Sequence, residues 1–555
     1  MWLESNMKVG SNSFMLKRIY RLLPPGARKK CVWQVALTFL SSLLNFAGLA
    51  SLYPLLKVIL EERSNQSHVW MVTAAVLAFI LMKNLLVLLI SKIQARFLLS
   101  QYKYFSTGLF RTYYQRGLLF IKENGPVRLM NDVNSLCHMF SMSVLQGFFK
   151  IVGETLLALL IFSALSYLSA KVTLLLVMVA IPLLVIYALV VRRQLRLLGE
   201  EEILARRDQC RTVVDTFRGY VELETYSAFN KQNRLFESSM DMVSRCRQRS
   251  VTIVSLPTLL SELAIVIGLV LLLMSQGGEQ LLVSGSFALA AFRLMPAFRT
   301  IAERWTAIQQ SSYCVEVLER EMGGERNTVE AKPISFHEAL KAEHLSFSFS
   351  DGTKVFEDFD LTIRKGEHIG ICGQSGAGKS TLFNLLLGFY RPLSGHVTVD
   401  GVELDETTQR SWLDLVGYVP QNVFITQGSI RENVALGYDE VDEARLSEAL
   451  RRACLSEWVE SLPDGNDTLL GESGARLSGG QKQRIGIARA LYKGAEVMFL
   501  DEATSSVDNE TEQEINETFR CLSESCKEMT IVVIAHRESS LSYCSRIINI
   551  NVCTI

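Results

Sequence analysis

The sequence predicts a membrane α-helical domain of six transmembrane helices fused to a cytoplasmic α/β domain of P-loop type. Three observations lead there. The chain of 555 residues is 49% hydrophobic and 21% charged, with a mean hydropathy of +0.20, which is too long for one domain and too apolar for an ordinary soluble protein. The runs long enough to cross a bilayer all precede Gly323. Beyond it the composition turns polar, and a glycine-rich loop stands between a strand-like and a helix-like run.

The spanning runs are Cys31 to Ile59, Val69 to Ile90, Met139 to Leu168, Ala170 to Val191, Val251 to Ser275 and Leu281 to Ile301, each long enough for the hydrocarbon core. Lys and Arg crowd the segment before the first run and the long loops after the second and fourth, as in Arg28, Lys29, Lys30, Arg111, Arg116, Arg192 and Arg193. The positive-inside rule therefore places both termini in the cytoplasm. The long loops mix apolar and charged residues without strand-like alternation, so the helices should continue past the lipid surface. They should turn at Asn124-Gly125-Pro126 and near Gly219.

Lys+Arg 57 balance Asp+Glu 57, so nothing overall points to nucleic acid, and no nucleic-acid partner is expected. The 11 cysteines form no CxxC pair and read as reduced thiols. Four charges stand inside the spans: Lys83, Glu154, Glu262 and Arg293. Counted from the outer ends they lie at one depth, about 20 Å in at about 1.5 Å per residue, which suggests mutual pairing in the bundle interior. Arg304 follows Arg293 on nearly the same helical face, so Arg293, Arg304 and Lys83 are candidates for a substrate path that a phosphate or pyrophosphate headgroup could follow.

The soluble half, residues 323–555, centres on Gly373, Gln374, Ser375, Gly376, Ala377, Gly378, Lys379, Ser380 and Thr381, a full GxxxxGK[ST] match. Glycines let backbone amides wrap phosphates, Lys379 reaches the outer phosphates, and Ser380 is a ligand for Mg2+. A second run, Val497 to Leu500, reads as a buried strand ending in Asp501 and Glu502. Asp501 would hold the Mg2+ shell and Glu502 would polarise the attacking water.

Leu477, Ser478, Gly479, Gly480 and Gln481 decide between readings. With this pentapeptide between the two nucleotide motifs, the chain resembles the ATP-binding cassette family, and six spans followed by one cassette resemble an exporter half-transporter. The resemblance implies an adenine-stacking role for Phe349, where relatives usually carry Tyr. It implies that Gln421 is the Q-loop glutamine, sharing Mg2+ and catalysis, that His536 is the switch histidine, that Glu472 belongs to the coupling X-loop, and that Asp508 lies in the D-loop. It further implies ATP and Mg2+ as cofactors, an ATP-hydrolysing translocase, and a signature motif that acts in trans. One cassette per chain then requires a partner; with Glu502 and the signature both intact, a homodimer through both domains is expected.

Within the family, the membrane half resembles bacterial flippases of lipid-linked oligosaccharides, on the sixth-span segment Phe292 to Ala297 and the tip Arg128 to Val133. This implies ATP-driven flipping of a polyprenyl-pyrophosphate oligosaccharide across the bacterial inner membrane. The tight first external connection, Glu61 to His68, departs from that pattern. Lipid A-like glycolipids, antibacterial peptides or drugs, and a cassette that regulates a membrane partner without transport stay open as alternatives.

Overall fold

The computed structural model describes residues 12–61, 66–168, 174, 194, 197–275, 281–323, 331–349, 351–374, 376–471, 474–475, 477–501, 520, 528–535, 541 and 543–550. The chain divides into two compact units, Met1–Glu325 and Arg326–Ile555.

The described residues of the first unit are helical apart from short breaks. Helices α1 (Asn12–Leu22), α2 (Pro25–Ala50), α3 (Leu52–Glu61) and α4 (Gln66–Gln115) lead into α5 (Gly117–Asn124) and α6 (Pro126–Asn131). Two π-helical turns, Asp132–Leu136 and Phe140–Leu145, then join α6 to α7 (Gln146–Leu168). After residues 197–218, which are helical, come α8 (Tyr220–Thr225), α9 (Phe229–Ser275), α10 (Leu281–Gln310) and α11 (Ser312–Met322). Among the described residues, three helices are long and apolar enough to cross a membrane: Pro25–Leu55, Ser67–Gln115 and Pro126–Tyr167. Helices α9 and α10 contain the expected fifth and sixth spans; the expected fourth lies outside the described residues except for Leu174.

The spanning helices do extend beyond any bilayer. At 50 residues, α4 is about 75 Å long, more than twice a hydrocarbon core of about 30 Å. Its turn falls at the expected place: Gly125 takes φ +72, which ends α5, and Pro126 opens α6, where its missing N–H costs nothing. Gly219 likewise separates the helical stretch 197–218 from α8.

Helix α2 is turned inside out relative to a soluble protein. Gln34, Thr38 and Ser42, all on one face, are buried, while Trp33, Phe39 and Leu40 are exposed. On α4, Leu81, Leu85 and Leu88 are exposed in the same way. Apolar faces gain nothing from hiding in lipid, whereas polar groups must find partners inside the bundle.

The second unit holds two sheets. An antiparallel sheet has the order β2 (Lys354–Arg364), β1 (Ala339–Ser348), β4 (Ser394–Val399), β5 (Val402–Glu403). A parallel sheet has the order β6 (Val416–Val419), β7 (Val497–Asp501), β8 (Thr530–Ile534), β3 (His368–Cys372), β9 (Arg546–Asn549). Every residue of β7 and β8 is buried, which explains their unbroken apolar runs. The order places the carboxyl ends of β3, β6, β7 and β8 together at one edge, where open α/β sheets bind ligands.

Candidate functional site

Strand β3 delivers the phosphate loop. Gly373 approaches the chain so closely that a Cβ there would lie 2.4 Å from the Ile550 carbonyl oxygen. Gly378 has φ +87, and its Cβ would meet Val355 at 2.5 Å. Neither position accepts a side chain. Gly378 caps helix α12 (Lys379–Leu386), whose first turn points amide N–H groups back over the loop. Lys379 is buried and its Nζ donates to the Gly373 and Gln374 carbonyls at 2.9 and 3.0 Å, so the ammonium sits inside the curl of its own loop. Gly376 and Ala377 lie on that curl and Thr381 follows in α12. Ser375 lies outside the described residues.

Strand β7 brings Asp501 to the same place. Ser380 Oγ donates to Asp501 Oδ1 at 3.3 Å and Tyr418 OH donates to Asp501 Oδ2 at 3.4 Å. Asp501 itself is buried. A hydroxyl beside a carboxylate is a hard-oxygen donor pair of the kind Mg2+ takes, so these residues fit the ion. Burial and the Asp501 carboxylate raise the Tyr418 phenol above its usual range, so it stays a donor. Tyr418 is not legible from its neighbours in the chain, because nothing along it links this residue to one on a neighbouring strand.

Phe349 is half-buried at the end of β1, with its backbone closed on Thr353 and Gly352. Phe347 stacks on Tyr390 with centroids 5.4 Å apart, and both rings meet Phe349 edge-on. The Phe349 ring is thereby backed by two aromatics, and a ring face is what a base stacks on.

The signature opens helix α17 (Gly479–Lys493), counting α13 (Gln409–Leu415), α14 (Ile430–Val434), α15 (Glu443–Arg452) and α16 (Ser456–Glu460) before it. Ser478 Oγ accepts from the Gln481 amide at 3.2 Å, and Gln481 Oε1 accepts from the Ser478 amide at 2.9 Å. This reciprocal cap fixes the N-terminus of the helix. Ser478 and Gly479 are exposed there, Gly480 is buried and Leu477 half-buried, so an exposed amide-rich helix start faces outward.

Gln421 is exposed at the end of β6, in a loop tied to the signature helix. Gln483 is buried and donates from Nε2 to the Gln421 and Pro420 carbonyls at 2.7 and 3.3 Å. Arg489 donates to the Phe424 carbonyl at 2.7 Å and to Asn433 Oδ1 at 2.9 Å. Asn433 Oδ1 also takes the Thr426 amide at 3.0 Å. Burial lowers the Arg489 pKa to about 10, which leaves it cationic at neutral pH. Nothing along the chain singles out Gln483 or Arg489, whose partners Gln421 and Phe424 lie 62 and 65 residues away. Glu472, Glu502, Asp508 and His536 lie outside the described residues; strands β7 and β8 end at Asp501 and Ile534, immediately before Glu502 and two residues before His536.

In the membrane unit the four expected charges are met in part: among the described residues one ion pair forms between them, and Lys83 lies near enough to Arg293 to feel its charge. Arg293 Nη2 lies 3.4 Å from Glu154 Oε2. Lys83 instead donates to Asn45 Oδ1 at 3.3 Å, across helices α2 and α4. Its stem occupies space left by Gly48, where a Cβ would be 2.9 Å from Lys83 Cδ. Glu262 is exposed on α9. Arg304 is half-buried further along α10, beyond Pro296 inside that helix.

Residues 356–505 match the ABC transporter family. The chain is 32% identical over 428 residues to an ATP-dependent lipid A-core flippase of Burkholderia pseudomallei, covering 73% of this chain and 70% of that protein. It is 30% identical over 462 residues to the ATP-dependent lipid A-core flippase of Ralstonia nicotianae, covering 79% and 76%. An uncharacterized ABC transporter ATP-binding protein of Bacillus subtilis is 42% identical over 209 residues, covering 38% of this chain and 36% of that one. The fold matches a bacterial Atm1-family ABC exporter with ATP bound, at a TM-score of 0.78 and 19% identity over 96% of this chain and 95% of the other. With its phosphate loop, capped signature helix and membrane helices in one chain, the protein belongs to the ATP-binding cassette exporters as an ATP-hydrolysing half-transporter.

Proposed function

We propose that this membrane ATPase flips an anionic glycolipid across the bacterial inner membrane, as a homodimer with both termini in the cytoplasm. The observation that carries the reading is Arg293, half-buried in a spanning helix and held by Glu154. A guanidinium kept inside a bundle is costly unless it has work there, and phosphate or pyrophosphate is the group it suits. The names of the two flippase relatives point to a lipid A-like cargo. The sixth-span resemblance favours a polyprenyl-pyrophosphate oligosaccharide; both cargoes join an anionic phosphate to sugar and hydrocarbon.

In this reading Phe349 stacks on adenine, Gly373 to Thr381 cradle the phosphates and Lys379 leaves its loop carbonyls for the outer phosphates. Ser380, Asp501 and Gln421 would hold Mg2+, which supplies charge neutralisation on the phosphates. Glu502 orients the attacking water, and His536 sits near the γ-phosphate. Leu477 to Gln481 of the partner subunit's signature close the site, with Asp508 and Glu472 carrying the consequence onward. Only a closed state that binds ATP more tightly can turn binding into motion. The links from Gln483 and Arg489 support this account, because they make the Q-loop and the signature helix one body.

The test is ATP hydrolysis in nanodiscs with and without added glycolipid. Stimulation by a phosphorylated glycolipid but not by its dephosphorylated form, lost in Arg293→Ala, is the expected result. Equal stimulation by both forms would refute the anionic-headgroup reading.

A further inference from the structure

Helices α2, α4 and α7 line a part-open cavity of about 270 Å3 that is polar for a membrane bundle. Thr38, Ser42 and Asn45 reach it from one face of α2, Gln94 from α4, and Gln146 and Glu154 from α7. We propose that this cavity binds the sugar of the glycolipid headgroup, beside the Arg293 site that takes its phosphate; the inference rests on the glycolipid reading above.

The lining is held in place. Gln94 Nε2 donates to Thr38 Oγ1 at 2.9 Å, and Ser42 Oγ donates to the Gly153 carbonyl at 2.8 Å. A Cβ on Gly153 would lie 2.9 Å from Thr38 Cγ2, so the glycine lets α7 close on α2. At the cavity end Glu154 is fixed by Arg293. Hydroxyls, carboxamides and a carboxylate supply both donors and acceptors, which matches sugar hydroxyls that do the same. Phe149 adds an aromatic surface to the lining, of the kind that covers the apolar face of a sugar ring.

Other occupants fit less well. A phosphate needs converging cations; the lining itself offers only the exposed Lys150, while Lys83 and Arg293 are engaged by Asn45 and Glu154. An acyl chain has no use for a lining of hydroxyls, carboxamides and a carboxylate, whose remaining donors and acceptors it cannot meet. The volume falls just below the roughly 300 Å3 at which pockets for drug-sized ligands begin, which suits one sugar unit. Hydrocarbon would remain in the surrounding lipid.

The experiment uses full-length protein in phosphatidylcholine nanodiscs and two photoreactive probes with the same alkyl chain, one bearing glucose and one bearing phosphocholine. Crosslinks are mapped by peptide mass spectrometry. The glucoside should label peptides containing Ser42, Gln94 and Glu154 at least about fivefold more than the phosphocholine probe, and excess methyl glucoside should protect them. Asn45→Leu and Gln94→Leu should each reduce this labelling about fivefold, the effect of one lost hydrogen bond. Protection by methyl glucoside needs no variant, so a misfolded variant does not blunt the test. Equal labelling by both probes, or no protection, overturns the site. Loss of ATP-driven glycolipid flipping with labelling intact would refute the transport reading and leave the site standing; flipping with no head-selective labelling would do the reverse.

Discussion

Gln483, buried in the signature helix, donates to the backbone carbonyl of Gln421 at 2.7 Å. The signature helix and the loop after β6 are thus joined by this carboxamide, alongside Arg489 on the Phe424 carbonyl. Replacing it with Leu keeps the volume but leaves the Pro420 and Gln421 carbonyls without this donor, a cost of about 1–3 kcal/mol. Gln483→Leu should lower the melting temperature by several degrees, since each kcal/mol is worth about 2–4 °C in a domain of this size. It should also cut substrate-stimulated ATP hydrolysis more than ATP binding. Fluorescent-nucleotide titration alongside turnover checks this, and an equal loss in both would mean the link is merely structural.

Glu502→Gln should abolish turnover while preserving ATP binding. The amide keeps the shape but cannot polarise water as a carboxylate does, a loss of about 10²–10⁴ for a general base. ATP-bound dimers should accumulate on size exclusion. Near-normal phosphate release would remove Glu502 from the mechanism.

The exposed start of α17 carries its own prediction. Ser478→Arg should silence the protein by blocking the capped helix end, and Lys379→Ala should silence it by removing the phosphate cation. Mixed dimers of the two variants should regain part of the activity, because one composite site is then complete. Measured hydrolysis no higher than for either variant alone would contradict sites shared between chains.

Much of this was legible in the sequence, and the failures have a pattern. The phosphate loop, β7, the signature cap and the break at Gly125 are local, each set by residues within one turn or strand. Tyr418 on Asp501 and Arg489 on Asn433 depend on strand order and helix docking, which no short window contains. The intramembrane charges were legible in part: the Arg293–Glu154 pair follows from shared depth, but Lys83 meeting Asn45 depends on helix rotation. The π-helical turns between α6 and α7 had no sequence signal.

The ion pair in the spans separates structure from function. Arg293→Ala leaves Glu154 without its cation, and a lone carboxylate inside a membrane bundle costs about 2.5–3.5 kcal/mol on insertion scales. If the pair only holds helices together, Arg293→Ala/Glu154→Ala should restore both thermal stability and stimulated hydrolysis. For a headgroup site, the double variant should regain stability alone. Thermal unfolding and glycolipid-stimulated ATPase, measured on the same samples, distinguish these outcomes.

ATP-driven movement of a fluorescent polyprenyl-pyrophosphate sugar between leaflets of proteoliposomes tests the flippase most directly, read as protection from a membrane-impermeant quencher. The wild-type protein with ATP and Mg2+ should move the probe, and Glu502→Gln should not. Hydrolysis without movement of this probe or of a lipid A-like one, or equal movement by Glu502→Gln, would contradict ATP-driven flipping of an anionic glycolipid.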